Sequence, residues 1–331
     1  MGSWIGRARL KLNDVGQIFD RSKQRKGVNC STSLDLENDA KRENSMDIIK
    51  KRQHYVPKTY LRPFSNIGKS NDMIWAYFLK QKKPRFVALD DVCVERCLYE
   101  HYICYDDGET EFISPNSIEN GYMQFENKYR SIIEKIIISP NDIISLTDED
   151  RNILTGFMVS ILFRHPTFIN MANSLHEKIY HEHPEWRDEL ANKFPDIDDT
   201  YFKMSYLHRM LEMHQDPELD LSIQAMKNML DEDQLCVFRT DNAEFIISDA
   251  PVVNVYGDIN GLDYDLMGMP VSPKYFIAFI DIDKNVTNKI FVIDTDQTMS
   301  LNKHQYGHSA TGIIMSKSKE ELVKHIAELS E

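Results

Sequence analysis

Apolar residues recur at helical spacing through the middle of the chain. Ile118, Tyr122, Phe125, Tyr129, Ile132, Ile133 and Ile136 form one stripe behind Ser117, a candidate cap, and predict a long amphipathic helix. Thr147-Asp148-Glu149-Asp150 opens a second, with Thr147 as cap and acids in the first turn where the helix dipole favours them. It should stop near Arg164-His165, because Pro166 disfavours helical geometry in the residue before it. Further helices are expected over residues 166–183, 184–193, 200–214 and 217–232, with prolines at first-turn positions where a missing N–H is harmless.

The pattern changes on either side of this helical stretch. Residues 74–78 and 85–89 are β-branched and aromatic and predict a small hairpin. From Leu235 onward, short β-rich runs at 235–239, 244–248, 252–256, 275–282, 289–293 and 311–315 are separated by turn signals such as Asn260-Gly261. Ser318-Lys319-Glu320-Glu321 resembles a capping box and predicts a terminal helix to about Leu329. The expected fold is α+β, a helical bundle followed by a small antiparallel β unit. Four parts are expected: a tail or upstream extension at 1–45, a motif segment with its hairpin at 46–116, the bundle at 117–233, and a β-rich unit with a C-terminal helix at 234–331.

Composition narrows the class. With 42% apolar and 27% charged residues and few Gly or Pro, the chain reads as globular. No run approaches the roughly 18 apolar residues of a membrane span, and the N-terminus lacks the apolar core of a secretory signal. Five cysteines, an odd number without a paired framework, fit a reducing interior, so a cytoplasmic location away from membranes is expected. Residues 1–45 carry a net +3 in a chain of −13, which leaves −16 on the remainder. That polar stretch reads as a disordered tail, or as an extension upstream of a natural start at Met46.

Against this acidic background, residues 50–65 concentrate Lys50, Lys51, Arg52, Lys58 and Arg62 with His54, Tyr55, Tyr60 and Phe64. His54 can exchange a proton near neutral pH, and Arg62 offers a planar fork for carboxylate or phosphate. The duller account is that Val-Pro-x-x-Tyr-Leu-x-x-Phe threads its apolar groups into the core while His54 and Arg62 satisfy backbone carbonyls. Arg164 and His165 end a helix, either adding cations to the same pocket or complementing the helix dipole. Asp249, at the end of a predicted strand, either points into a cleft or caps an Asp-x-Pro turn.

The run from His54-Tyr55-Val56-Pro57 through Tyr60-Leu61-Arg62 to Phe64 resembles the opening signature of the bacterial family designated domain of unknown function 4238. Asp91-Val92-Cys93-Val94-Glu95 with Leu98-Tyr99, then Arg164-His165-Pro166, Ile246-Ile247-Ser248-Asp249-Ala250-Pro251-Val252 and Met269-Pro270-Val271-Ser272-Pro273 resemble its later blocks in the same order. Gln53 stands where many members have a second His, and His165 where many have Thr. The resemblance implies membership from about Met46 onward and no particular reaction.

Metal motifs are weak. Cys93-x3-Cys97-x3-His101-x2-Cys104 has zinc-ligand types, but if helical its four ligands would spread over three turns. His304-x3-His308 would share a helix face, yet Gly307 weakens that helix. His176, His181 and His183 fall on a charged helix end. No metal site is assigned, and the residues leave any cofactor unidentified. Phosphate-cradling Gly-rich loops and a Gly-x-Ser-x-Gly elbow are absent from the sequence.

The residues support two functional expectations. The first is a nuclease-like enzyme acting on a phosphodiester, in the manner of a toxin or phage-defence effector. His54 would be its general acid or base, Arg62 and Arg164 its anion clamps, and Asp249 would orient the histidine or hold a metal. Tyr55, Tyr60 and His165 would add stacking or binding contacts to a nucleic acid or other phosphorylated ligand at a local basic patch. The second is a non-catalytic sensor that encloses a ligand or partner, to which Met204, Met210 and Met213 could lend adaptable contacts.

Overall fold

A computed structural model of the chain describes residues 52–66, 71–99, 102–104, 110–112, 116–139, 142–170, 233–259, 262–281 and 285–330, with positions 174, 182 and 185. Residues 1–45, the helices expected within 184–232 and most of 166–183 lie outside the described residues, and so do His101 and the three methionines. The chain divides into two compact units. One comprises Met1–Lys51, Tyr99–Ile118 and Met171–Ala225. Its described strands, β5 (Tyr102–Cys104) and β6 (Thr110–Phe112), pair antiparallel. The other comprises Arg52–Leu98, Glu119–Asn170 and Met226–Glu331 and carries the remaining described strands and most of the described helical residues.

In this larger unit, β1 (Arg52–His54) pairs with β4 (Val94–Arg96), and between them lie a short helix, α1 (Lys58–Leu61), and a 3-10 turn at Arg62–Phe64. Val56, Tyr60, Leu61 and Phe64 are fully buried, because their spacing keeps them on the inward side of this tight turn. Tyr60 meets Tyr129 of α2 (Ser117–Ile137) and Phe157 of α3 (Asp148–Phe163), with centroids 6.3 and 6.4 Å away. Tyr129 and Phe157 stack at 3.8 Å. Gly156 lets the helices approach: a Cβ there would lie 2.3 Å from the Phe125 ring. Thr147 and Asp150 form a capping box, and α3 ends where Arg164 caps it.

The β structure corrects the expectation of a small antiparallel unit following a bundle. The hairpin β2 (Met73–Phe78) and β3 (Lys83–Ala88) joins β13 (Ile313–Ser316) and β8 (Ile247–Ser248) in a four-stranded sheet, uniting sequence-distant segments. A five-stranded sheet has the order β12 (Ile290–Ile293), β7 (Gln234–Thr240), β11 (Tyr275–Asp281), β10 (Leu262–Ser272), β9 (Val253–Ile259), and its β12–β7 pair is parallel. Both faces of its centre are buried: Val237, Ile277 and Phe279 on one side, Cys236, Phe276 and Ala278 on the other. A sheet buried on both faces is a central layer, which explains its size. The motif is tied to it, since the Tyr60 hydroxyl donates to the Pro270 carbonyl at 2.6 Å.

A helix not expected from the sequence, α4 (Thr295–His308), is held by amides rather than by an apolar stripe. Asn302 accepts from Ile246 N–H and donates to the Glu244 carbonyl. Gln305 accepts from Ser248 and donates to the Pro251 carbonyl. These side chains satisfy the backbone around residues 244–251, so only Ile247–Ser248 of the longer strand expected there pairs as β8. The terminal helix α5 (Lys319–Leu329) begins at its expected cap, Ser318, and packs Leu322 and Ile326 onto Ile314 and Ile246.

Candidate functional site

The cations of the opening motif meet carboxylates of the same unit. Arg52 donates to Asp91 at 2.7 Å and to the Asp90 carbonyl at 2.6 Å, and Lys58 Nζ donates to Asp90 at 2.7 Å. The bond from Lys58 and its charge hold the Asp90 carboxyl below its usual range. His54 Nε2 lies 3.0 Å from the Leu89 carbonyl. A carbonyl only accepts, so Nε2 carries the proton in that contact. Burial lowers the His54 pKa, while the Leu89 bond pulls the other way. Lys50 and Lys51 lie outside the described residues.

Arg62 differs. Its Nε sits 3.6 Å from Asp72, longer than the roughly 2.7–2.9 Å of a tight charge-assisted bond, and its side chain is 53% exposed. It stands at a groove of about 440 Å³ between the motif and α2, lined by Thr59, Pro63, Ser65 and Asp72 on one side and Tyr129, Arg130, Ile133, Glu134 and Ile137 on the other. Arg130 is also exposed and pairs with Glu134 at 2.9 Å. Two guanidinium groups thus border a partly apolar floor. Among the described residues, no histidine lines the groove.

A second polar centre is buried. Asp249, fully enclosed, accepts from Ser309 Oγ at 2.8 Å, Ala310 N–H at 3.0 Å, Thr311 N–H at 2.6 Å and the Thr311 hydroxyl. Tyr55 donates its N–H to the Cys93 carbonyl at 3.0 Å, and burial pushes its phenol pKa far up. The Cys93 thiol is likewise raised, first by burial and then by the Asp249 charge. Cys93 adopts φ 52°, a left-handed conformation uncommon for a non-glycine residue. The His165 ring meets Tyr55 edge-on at 5.0 Å. His165 Nδ1 accepts from Thr167 N–H at 3.2 Å, so the neutral ring carries its proton on Nε2, which is buried without a hydrogen-bond partner among the described residues. Burial lowers the His165 pKa and Asp249 opposes that shift.

The structure therefore brings Tyr55, His165 and Asp249 together and distributes the other candidates. The histidine beside Asp249 is His165; His54 instead faces the Leu89 carbonyl, Lys58 and Asp90. Arg164, 1% exposed, donates to Glu126 at 2.8 Å and lies over the Tyr122 ring, both on α2. Tyr60 belongs to the core. Sequence reasoning does not single out Arg130, Tyr129, Ser309 or Thr311 as site residues. It weighs Cys93 and Cys97 as ligands on one helix and assigns them no metal; in the structure Cys93 and Cys97 flank the strand β4. Among the described residues, no three His, Cys, Asp or Glu side chains form a metal-holding group.

The fold and its two polar centres define an α+β protein in which motif blocks far apart in sequence converge on a buried carboxylate. The chain belongs to the family described as "Protein of unknown function (DUF4238)", whose model matches residues 52–320. Neither the curated proteins nor the solved structures contain a match. Among the described residues, no helix is long and apolar enough to cross a membrane.

Proposed function

We propose that the protein is a binding module, and that the groove between the opening motif and α2 takes a small molecule bearing a phosphate or carboxylate. The carrying observation is the placement of Arg62: exposed, loosely paired with Asp72, and lining with Arg130 a groove whose floor is partly apolar. A cavity of this size suits a mononucleotide-sized ligand. An incoming anion would replace Asp72 as the acceptor for Arg62 and engage Arg130, while Ile133, Ile137 and Pro63 cover the rest of the ligand. The nuclease-like reading would need a proton-transfer group beside these arginines, and among the described residues the groove lining holds no imidazole. Five cysteines, of which Cys93, Cys97 and Cys236 are free thiols, support action in a reducing, cytoplasmic compartment.

The test is calorimetric titration of the full chain with inorganic phosphate and a panel of nucleoside monophosphates. A saturable response that Arg62→Ala weakens tenfold or more supports the reading, since a hydrogen bond to a charged group is worth about 1.5–3 kcal/mol. No binding by any probe, or binding that Arg62→Ala and Arg130→Ala leave intact, overturns it. Cleavage of RNA or DNA by the wild-type chain, abolished by His54→Ala, would establish the enzyme reading instead.

A further inference from the structure

Two features of the sequence argue against a metal site at His304 and His308: Gly307 weakens the helix, and no carboxylate completes a zinc-protease motif. The structure removes the first: α4 continues through His308. The two rings lie one above the other at i and i+4, with centroids 6.2 Å apart. His308 Nδ1 is 2.9 Å from the His304 carbonyl. That oxygen can only accept, so the Nδ1 of His308 holds the proton and its Nε2 lone pair is left for a ligand. A ring N–H anchored on a backbone carbonyl is the usual setting of a metal-binding histidine, because it fixes both the tautomer and the ring orientation.

We infer that His304 and His308 form a two-imidazole site for a borderline divalent ion such as Zn²⁺, Ni²⁺ or Cu²⁺, with water completing the coordination sphere. Imidazole nitrogen is a preferred ligand for these ions and a poor one for Mg²⁺ or Ca²⁺. Two rings sharing a tetrahedral ion, each nitrogen about 2.0–2.1 Å from it, would have centroids about 5 Å apart. The observed pair therefore needs to close by only about 1 Å, within reach of rotamer changes in side chains at least partly open to solvent. A bound ion would staple the last turn of α4, next to Ser309, which caps that helix and donates to Asp249.

Thermal unfolding and calorimetric titration of the full chain with ZnCl₂ and NiCl₂, with MgCl₂ as control, test the site. The expected result is a rise in Tm that grows with the logarithm of Zn²⁺ or Ni²⁺ concentration, is absent with Mg²⁺, and disappears in His304→Ala/His308→Ala. The triple variant His176→Ala/His181→Ala/His183→Ala separates this pair from the other clustered histidines and should retain the rise. Nitrogen hyperfine structure from two imidazoles in the Cu²⁺ electron paramagnetic resonance spectrum should fall to one in His308→Ala. Equal ion-dependent stabilisation of wild type and double variant, or no wild-type binding at millimolar ion, would overturn the assignment.

Discussion

Asp249 and the Arg52–Arg62 segment lie in one compact unit, yet they handle charge in opposite ways. Asp249 is fully buried and neutral donors, two backbone N–H groups and two hydroxyls, converge on its carboxylate. Arg52 and Lys58 stay in water, each meeting an acid at 2.7 Å with both side chains about half exposed or more. Geometrically the two arrangements are equally close. Energetically they are far apart, because an orphaned buried donor keeps its full desolvation penalty while water replaces a lost surface partner.

Asp249→Ala is the sharpest way to break that comparison. It would leave Ser309 Oγ, the N–H groups of Ala310 and Thr311, and the Thr311 hydroxyl without their acceptor. A loss of several kcal/mol is expected, since each buried donor left without an acceptor costs about 1–3 kcal/mol. Asp249→Asn should recover only part of it, since its amide nitrogen would face donors where an oxygen now accepts. Urea denaturation of the three proteins gives the ranking, and a value within about 1 kcal/mol of wild type for Asp249→Ala would show that water replaces the carboxylate there.

The contrast also explains what can be read from residue order. Helix α2 is legible because its buried face is apolar and recurs at helical spacing, and α3 because Thr147 with its first-turn acids and Pro166 mark its two ends. Helix α4 is not: among its inward residues Thr298, Asn302 and Gln305 are polar, and the backbone they serve is some fifty-five residues away in sequence. Strand β10 is hidden by Gly268 and Pro270, residues that usually argue against a strand interior. Their placement has local causes. A Cβ on Gly268 would lie 2.4 Å from the Ile277 carbonyl oxygen, and Pro270 borders an irregularity in register. At the buried centre, Asp249 stands out as an acid ending a strand, but two of its donors are main-chain N–H groups that no side-chain pattern announces.

A smaller effect sharpens the comparison through pH. His165 faces Asp249 and Tyr55, and burial sets its folded pKa below the 6.5 usual for an imidazole. Below pH 6.5 the unfolded chain takes up a proton that the folded chain resists, so stability falls as the solution is acidified toward the folded pKa and levels off beneath it. His54, His304 and His325 are shifted in the same direction and add to the slope. The measurement is the urea midpoint of wild type and His165→Thr between about pH 7.5 and 5, a window that spans the unfolded histidine's titration. The expected outcome is a shallower acid limb in the variant; identical limbs would mean that Asp249 offsets the burial of His165 entirely.

The least effect is expected at the surface. Lys58→Ala removes the bond to Asp90 but leaves that carboxylate in water and still near Arg52, which already reaches the Asp90 carbonyl and the Asp91 side chain. Exposed pairs of this kind contribute about 0.2–1 kcal/mol, further reduced by salt. Removing Lys58 also removes one of the charges that hold the Asp90 carboxyl down, so its titration by NMR should move up while stability barely changes. A loss above about 2 kcal/mol would mean that the Lys58–Asp90 contact anchors the motif rather than decorating it, and the solvated segment would then behave energetically like the buried one.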